Sequence, residues 1–178
     1  MLQQRSLLLR LWTSSFRTTT DNGRRAVQRV GLRDIVDPAT GRALGFASWK
    51  LQVGRAQLAW LARMVLEVRA AGSETLLFSV RRCWSLLPRW KVYDDAGRPL
   101  ATLRDGAVLD RSGRVLVQIE RSPREAFTRF VSAEGYELAT LNHSPNGIRI
   151  SFSDRLEGET EAFTKMAVLA AVLAVTPG

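Results

Sequence analysis

Apolar and polar residues alternate along much of the chain, and short polar sequences interrupt the alternation at intervals. In the stretch 148–152, IRISF, apolar side chains occupy every second position and Arg149 and Ser151 fall between them. A period of two is that of a β-strand with one buried face and one solvated face. The pattern therefore predicts a chain built mainly of amphipathic strands.

The interruptions share a sequence pattern centred on glycine. The stretches VYDDAGRPLATL, VLDRSGRVLVQI and FVSAEGYELATL align on Gly97, Gly113 and Gly135, and looser copies surround Gly41 and Gly72. An Asp or Ser precedes the first three glycines by three positions, where its side-chain oxygen can cap a type I turn. The glycine accepts the positive φ with which the two strands pair again. The repeats therefore predict successive β-hairpins.

Two other kinds of loop also use Asp and Gly. A calcium loop needs acids at alternating positions and a distal bidentate Glu, and neither follows Asp94 or Asp110. A phosphate loop leads into a helix with Lys and Ser or Thr, whereas a strand pattern follows these glycines. A further hairpin is predicted at NHSPNG, where Asn146-Gly147 suits a primed turn between 137–141 and 148–152. His143 in this loop is interpreted as a solvated residue.

The pattern changes after residue 153. The tail DRLEGETEAFTKMAVLAAVLAVTPG begins with acids, which favour a helix N-terminus, and has no polar residue from Met166 to Val175. This predicts a helix over about 160–175. Ten helical residues rise only ~15 Å, whereas a transmembrane helix needs roughly 20 residues, so no transmembrane span is expected. A helix that is apolar on every side must be enclosed by protein, here by the strands. Membrane insertion of the tail is the competing interpretation.

In this order, the features resemble the scramblase-like and tubby-like superfamily, which includes phospholipid scramblases and plant LURP-one-related proteins. The resemblance covers about residues 28–175 and rests on the hairpins, on LEVRAAGSETLLFSVRR leading into WKVYDDAGRPLATL, on NGIRISF and on KMAVLAAVLAV. It implies a mainly β fold, an antiparallel barrel of about twelve strands that encloses a hydrophobic C-terminal helix. We expect this domain at 28–178, preceded by an N-terminal arm or edge strand at 1–27.

The chain departs from the scramblase pattern at two places. Scramblases carry a cluster of cysteines that can be acylated, whereas Cys83 stands alone here. Their proposed calcium segment is acidic, whereas this chain has HSPNG at 143–147. The resemblance therefore carries neither calcium dependence nor lipid anchoring to this chain, and a fold alone does not fix a function.

Charge is distributed unevenly along the sequence. The net charge is +9, with 16 Lys and Arg against 5 Asp and Glu in 1–91, and 10 against 12 in 92–178. Such asymmetry is typical of a surface that meets nucleic acid or anionic lipid. A GC-rich genome that encodes arginine freely would give the same bias, since only three of the basic residues are lysine. A single cysteine and a single histidine favour a reducing compartment, and we expect a cytoplasmic protein that can associate peripherally with a membrane.

The most suggestive cluster is RRCWSLLPRWK at 81–91. Arginine with tryptophan can bind phosphates while the indole lies at a lipid interface, and the same combination can stack the bases of a single strand. The tryptophans could equally close the end of the barrel, with the arginines merely solvated. The candidate residues for an anionic ligand are Arg81, Arg82, Trp84, Arg89, Lys91, Arg24 and Arg25.

No sequence motif indicates catalysis. Neither Cys83 nor His143 lies in a nucleophile motif, and no nucleotide fingerprint or metal-ligand spacing occurs, so we expect no enzyme, no cofactor and no metal. The hypothesis is a non-enzymatic binding module whose partner is anionic membrane lipid. A nucleic-acid-linked regulatory protein and a scaffold without a small ligand are the alternatives. The segment 54–64, GRAQLAWLARM, also predicts a short helix against the barrel.

Overall fold

A computed structural model describes the backbone at residues 4–10, 13–21, 24–52, 63–83, 89–121, 127–156 and 161–176; at 13–21, 24–31, 50–52 and 63–64 it describes the backbone alone. Within these ranges the chain forms thirteen strands and one helix. The elements are β1 (Ser6–Leu9), β2 (Thr13–Asp21), β3 (Arg24–Val36), β4 (Ala43–Gln52), β5 (Arg63–Ala70), β6 (Leu76–Cys83), β7 (Arg89–Tyr93), β8 (Pro99–Arg104), β9 (Ala107–Leu109), β10 (Val115–Arg121), β11 (Phe127–Val131), β12 (Glu137–Ser144), β13 (Gly147–Phe152) and α1 (Glu161–Val175).

The strands form one antiparallel sheet that closes on itself. From β2 to β13, each strand pairs with the next along the chain. β1 pairs with β13 on one side and, through Leu8↔Val36 and Leu9↔Ile35, with β3 on the other. These pairings join β1 and β3 to β13 into a closed barrel of 12 strands, which confirms the predicted fold. Closure therefore gives each described strand of the barrel wall a neighbour on both sides.

The N-terminal residues contribute two different strands. In β1, the side chains of Leu7 and Leu9 are fully buried in the core, so this strand is part of the barrel wall. β2 is the strand that lies outside the barrel of 12, and among the described residues it pairs with β3 alone, from Thr13↔Leu32 to Asp21↔Arg24. The stretch 1–27, predicted as an arm or edge strand, therefore contains a wall strand followed by a strand at the edge of the sheet.

The helix lies inside the barrel. Every residue of α1 from Lys165 to Ala174 is buried, and the surrounding strands contribute fully buried side chains such as Phe78, Phe130 and Ile150. Enclosure by the strands removes the apolar surface of α1 from water on all sides of the helix. Within the described residues, the structure contains no helix with the length and hydrophobicity needed to cross a membrane.

Successive hairpin connections alternate between the two ends of the barrel. The connections at 37–42, 71–75, 94–98, 110–114 and 132–136 lie at the end where α1 begins, which we call the turn end. The connections at 105–106 and 145–146 lie at the other end, where α1 ends, which we call the exit end. The five glycine-centred turns, around Gly41, Gly72, Gly97, Gly113 and Gly135, therefore all lie at one end of the molecule.

The turn end confirms the predicted turn chemistry. Asp94 Oδ1 accepts a hydrogen bond from the backbone N–H of Arg98 at 2.7 Å, and Asp110 Oδ1 accepts one from the N–H of Arg114 at 2.9 Å. Gly113 has a φ of 84°, in the region that glycine enters without strain. The Asp-Gly repeats are hairpin turns.

Two local predictions differ from the structure. Ser144 pairs with Gly147, so Pro145 and Asn146 form the turn, and a primed turn is excluded because proline requires a negative φ. The short helix predicted at 54–64 falls mostly on residues 53–62, which lie outside the described residues. Its last two positions, Arg63 and Met64, begin β5.

Candidate anionic-ligand site

Strand pairing brings four of the candidate residues together at the exit end. In the β6–β7 hairpin, Arg81 pairs with Lys91, Arg82 with Trp90, and Cys83 with Arg89. Residues directly opposite each other in an antiparallel pair point to the same face, with Cβ atoms about 4.5–5.5 Å apart. We call the basic residues Arg81, Arg82, Arg89 and Lys91 the β6–β7 cluster.

The alternation of the strands divides the cluster between two faces. Val80 and Val92 are fully buried, so their neighbours Arg81 and Lys91 project outward, and both are exposed. Arg82 has the inward-facing parity, but it lies near the rim of the exit end and is also exposed. The cluster therefore presents positive charge both on the outer wall and at the rim.

The cluster has no counter-charge within the described part of the chain. None of its four residues forms an ion pair there, and the Arg81 guanidinium instead lies 4.5 Å from the centroid of the Tyr93 ring. A cation–π contact orients an arginine without neutralising its charge. Arg89 Nε is buried and has no hydrogen-bond partner among the described residues. Such an unsatisfied donor is uncommon in a folded protein.

The turn end shows the opposite arrangement. Arg98 pairs with Asp94 at 2.6 Å, and Arg114 pairs with Asp110 at 3.0 Å. These arginines follow the turn glycines, so each turn carries its own neutralised pair. The positive charge of the β6–β7 cluster is therefore available to a ligand, whereas much of that at the turn end is compensated.

The structure describes the other three candidate residues, Trp84, Arg24 and Arg25, in less detail than the β6–β7 cluster. Trp84 lies outside the described residues. Arg24 and Arg25 begin β3 at the exit end, and only their backbone is described. Val30 lies in the same row across the sheet as Arg81, because Val30 pairs with Lys50, Lys50 with Val65, and Val65 with Arg81. Arg24 lies six residues beyond that row, or roughly 20 Å along the strand. The exit end thus carries both groups without bringing them into one contact.

Two open cavities flank the ends of α1. The exit-end slot has a volume of about 260 Å³ and lies between Trp90, Leu103, Ile119 and Val175. A groove of about 460 Å³ at the turn end is lined by residues that include Glu134, Tyr136, Arg155 and Glu161. There the Arg155 guanidinium lies 5.5 Å from the centroid of the Tyr136 ring. Of these two cavities, the exit-end slot adjoins the β6–β7 cluster, because Trp90 lines it.

The C-terminus of α1 is held by a buried arginine. Arg33 is 5 % exposed, and its Nη1 donates a hydrogen bond to Thr176 Oγ1 at 3.2 Å. Burial lowers the pKa of Arg33 to about 10, so the side chain remains charged at neutral pH. A cation is favourable beside the carbonyl end of a helix, where the helix dipole is negative.

Sequence reasoning missed two functional contacts. Tyr93 supports Arg81, and the alternation of β7 could have indicated it, because Tyr93 follows Lys91 by two residues. Arg33 has the same inward parity as the buried Ile35, but its partner Thr176 is 143 residues away along the chain. Only the fold connects these two residues.

The two other residues considered for chemistry, Cys83 and His143, lie in different hairpins. Cys83 is partly exposed, and its Sγ lies 4.0 Å from the carbonyl oxygen of Arg81. His143 is exposed near the end of β12, opposite Ile148. In the described ranges, the structure contains no group of three or more His, Cys, Asp or Glu residues that could hold a metal ion.

The fold and the site together define a class of protein, a closed antiparallel barrel around an apolar helix, with a basic cluster at one end that has no ion partner among the described residues. Comparison of the chain with family models, with curated proteins and with solved structures finds no match.

Proposed function

We propose that the protein is a non-enzymatic binding module that attaches peripherally to anionic phospholipid membranes through the exit end of its barrel. The observation that carries the proposal is the β6–β7 cluster, in which exposed cations stand in register without a carboxylate partner among the described residues. Each lysine or arginine near an anionic membrane surface contributes about 1 kcal/mol. Several such residues on one face give useful affinity without a deep pocket.

Neighbouring features support the same surface. Trp90 lies opposite Arg82 in the hairpin, and tryptophan is enriched where proteins meet the headgroup region of a bilayer. The backbone of Arg24 and Arg25 begins β3 at the same end of the barrel. A cytoplasmic location is part of the proposal, because the cytoplasmic leaflet carries the anionic lipids.

Membership of the scramblase-like and tubby-like superfamily also belongs to the proposal. The resemblance implied a barrel of twelve strands around a C-terminal helix, and the observed architecture supports it. Movement of lipid between leaflets is not part of the proposal, since a fold hosts more than one function.

Vesicle flotation tests the proposal. We expect the protein to float with phosphatidylcholine vesicles that contain phosphatidylglycerol, and not with phosphatidylcholine alone. Binding should weaken at high salt, because salt screens exposed charges. Absence of binding to the anionic vesicles at low salt would reject the proposed function.

A matched pair of variants separates the site from the net charge. Arg81→Glu/Lys91→Glu reverses two exposed cations of the cluster, whereas Arg42→Glu/Arg111→Glu reverses two exposed arginines at the turn end. Both variants lower the net charge equally. We expect the first to bind anionic vesicles about tenfold more weakly or worse, and the second to stay within about threefold of the wild type. Equal losses would show that charge acts without a site.

The alternative partner is single-stranded nucleic acid. Tyr93 and Trp90 supply aromatic rings beside the cations of the cluster, and bases stack on such rings. A salt-dependent gel shift that Arg81→Glu/Lys91→Glu abolishes, together with absent vesicle binding, would replace lipid with nucleic acid. Blank results in both assays would favour a scaffold without a small ligand.

A further inference from the structure

The exit-end slot is an apolar recess whose floor is the end of the core helix. Its volume is about 260 Å³, and Trp90, Leu103 and Ile119 form its walls. Its floor includes Val175, which is 38 % exposed, whereas the ten residues before it in α1 are all buried. The barrel therefore leaves the last helical residue uncovered.

Arg82, an exposed cation that forms no ion pair within the described ranges, lies near the rim of the slot. Arg82 pairs with Trp90, and Trp90 pairs with Leu103, so the three residues form one row across β6, β7 and β8. Cβ atoms of directly opposite residues lie about 4.5–5.5 Å apart, which places the base of Arg82 next to the indole. The other arginine at the slot, Arg104, is paired with Asp105 at 2.7 Å. Of these two arginines, Arg82 is the one that has no ion pair in the part of the chain that the structure describes.

The electrostatics of the slot determine which part of a ligand enters it. The floor of the slot is the apolar side chain of Val175 at the carbonyl end of α1, where the negative end of the helix dipole opposes an anion and the buried Arg33 offsets part of that dipole. An apolar group meets no such penalty there and covers Val175. The anion is favoured at the rim, beside Arg82.

The volume limits the length of the apolar group. An apolar protein cavity of about 150 Å³ binds benzene, so about 260 Å³ accommodates about ten carbon atoms. Burial of each methylene contributes about 0.8 kcal/mol, which makes a chain of this length the main source of affinity.

We propose that the exit-end slot binds one alkyl chain of an anionic amphiphile, with the charged headgroup held at Arg82. This inference rests on the proposed function in one respect, since the same end of the barrel faces the membrane. The chain has two conceivable sources, a lipid of the bilayer or a free single-chain amphiphile, and their chemistry at the slot is the same.

Calorimetry with decyl phosphate as monomers tests the slot apart from any vesicle. We expect decyl phosphate to bind the wild-type protein, and inorganic phosphate and decyl maltoside to bind at least about tenfold more weakly. The first control lacks the chain and the second lacks the charge. Equal binding of decyl maltoside would overturn the inference, as would the absence of decyl phosphate binding.

Variants then locate the bound chain. Ile119→Trp fills the slot from its wall and Val175→Phe from its floor, and each should weaken decyl phosphate binding at least about tenfold. Ala96→Phe, at an exposed position of the turn end, is the matched control and should bind normally. Arg82→Ala should reduce decyl phosphate binding and leave decyl maltoside binding unchanged. Unaltered affinity in both slot-filling variants would overturn the inference.

The two proposals fail separately. Decyl phosphate binding without vesicle flotation would reject the membrane function and leave the slot. Flotation without decyl phosphate binding would reject the slot alone. If both occur, weaker flotation of Ile119→Trp would assign the chain to a bilayer lipid, and unchanged flotation would assign it to a free amphiphile.

Discussion

Two buried cations lie at opposite ends of the core helix, and each is held by different partners. Lys165 is 2 % exposed; its Nζ pairs with Glu161 and donates a hydrogen bond to the carbonyl oxygen of Gln4 at 3.1 Å. The ring of Phe152 lies with its centroid 5.3 Å from the same nitrogen. At the other end, Arg33 contacts Thr176. The helix is thus fixed in the barrel by polar contacts at its ends and by apolar packing between them.

Removal of the Glu161 carboxylate should show how much the buried charge of Lys165 destabilises the fold when it has no ion partner. We expect Glu161→Ala to lower the free energy of unfolding by about 2 kcal/mol, because it leaves Lys165 buried without its ion partner. The double variant Glu161→Ala/Lys165→Met removes the charge as well and should recover most of that loss. Chemical denaturation of the three proteins measures both effects. A double variant as unstable as the single one would contradict this account.

An exposed pair provides the control. Arg5 and Asp154 form an ion pair at 2.9 Å whose side chains are 81 % and 75 % exposed. We expect Asp154→Ala to change the stability by less than about 0.5 kcal/mol, because solvent screens a surface pair. A loss as large as that of Glu161→Ala would show that burial is not what distinguishes the two pairs.

The turn aspartates make stability depend on pH in acid. The hydrogen bonds from the Ser112 hydroxyl and the Arg114 amide lower the pKa of Asp110 to about 2. This pKa lies below the unfolded value of about 3.9, so the stabilisation is present above pH ~4 and is lost as the pH falls toward ~2. Ser112→Ala should raise the pKa of Asp110 and reduce that loss. An NMR titration of the carboxyl carbon measures the shift, and an unchanged pKa would contradict the prediction.

At the scale of elements, the barrel closes at a short seam. β1 contributes four pairs to β13 but only two to β3. The backbone of Gly147, at the start of β13, lies against the end of β1, where a Cβ atom would come within 2.1 Å of the Leu9 carbonyl oxygen. Gly147 also has a φ of 134°. The glycine is therefore required for the approach of β13 to β1.

Substitution of Gly147 should open the seam. We expect Gly147→Ala to lower the free energy of unfolding by about 3 kcal/mol, because a backbone atom of β1 must move. Gly113→Ala is the matched control, since its φ is also positive but nothing lies within 4 Å of the added atom. We expect it to cost about 1 kcal/mol. Equal effects of the two substitutions on thermal or denaturant unfolding would exclude a special role for the seam.

Strand β13 and its seam with β1 show what the sequence could and could not predict. Hairpins from β7 to β12 were predictable, because local turn chemistry and strand alternation both mark them. The seam was not, since Ser6↔Ser151 joins the two ends of the chain and no local signal encodes that pairing. From the sequence alone, the Asn146-Gly147 pair indicates a turn. The real constraint on Gly147 is the approach of β1, which only the closed barrel creates.

At the scale of the molecule, positive and negative charge differ more clearly between the two ends of the barrel than between the two halves of the sequence. Arg5 and Arg42 belong to the basic first half of the chain but lie at the turn end. The β6–β7 cluster could be predicted because its residues are close in sequence and share a hairpin. The exit-end slot could not, because β7, β8, β10 and α1 meet there only in the folded barrel.

The helix and the two ends of the barrel have matching polarity. α1 begins at the turn end, where the turn aspartates lie, and ends at the exit end beside the basic residues. The helix dipole favours carboxylates near its beginning and cations near its end. The architecture therefore keeps the helix enclosed and leaves one basic end to meet a partner. A membrane should bind this protein without extracting its helix.

Amide hydrogen exchange of the protein, free and bound to phosphatidylglycerol vesicles, tests that claim most directly. We predict that the amides of 165–174 exchange among the slowest in both states, because they open only with the barrel. Vesicles should slow the exchange of 81–83 and 89–93 and leave the turns at 94–98 and 110–114 unchanged. Rapid exchange of α1 in the free protein, or vesicle protection confined to the turn end, would contradict the account.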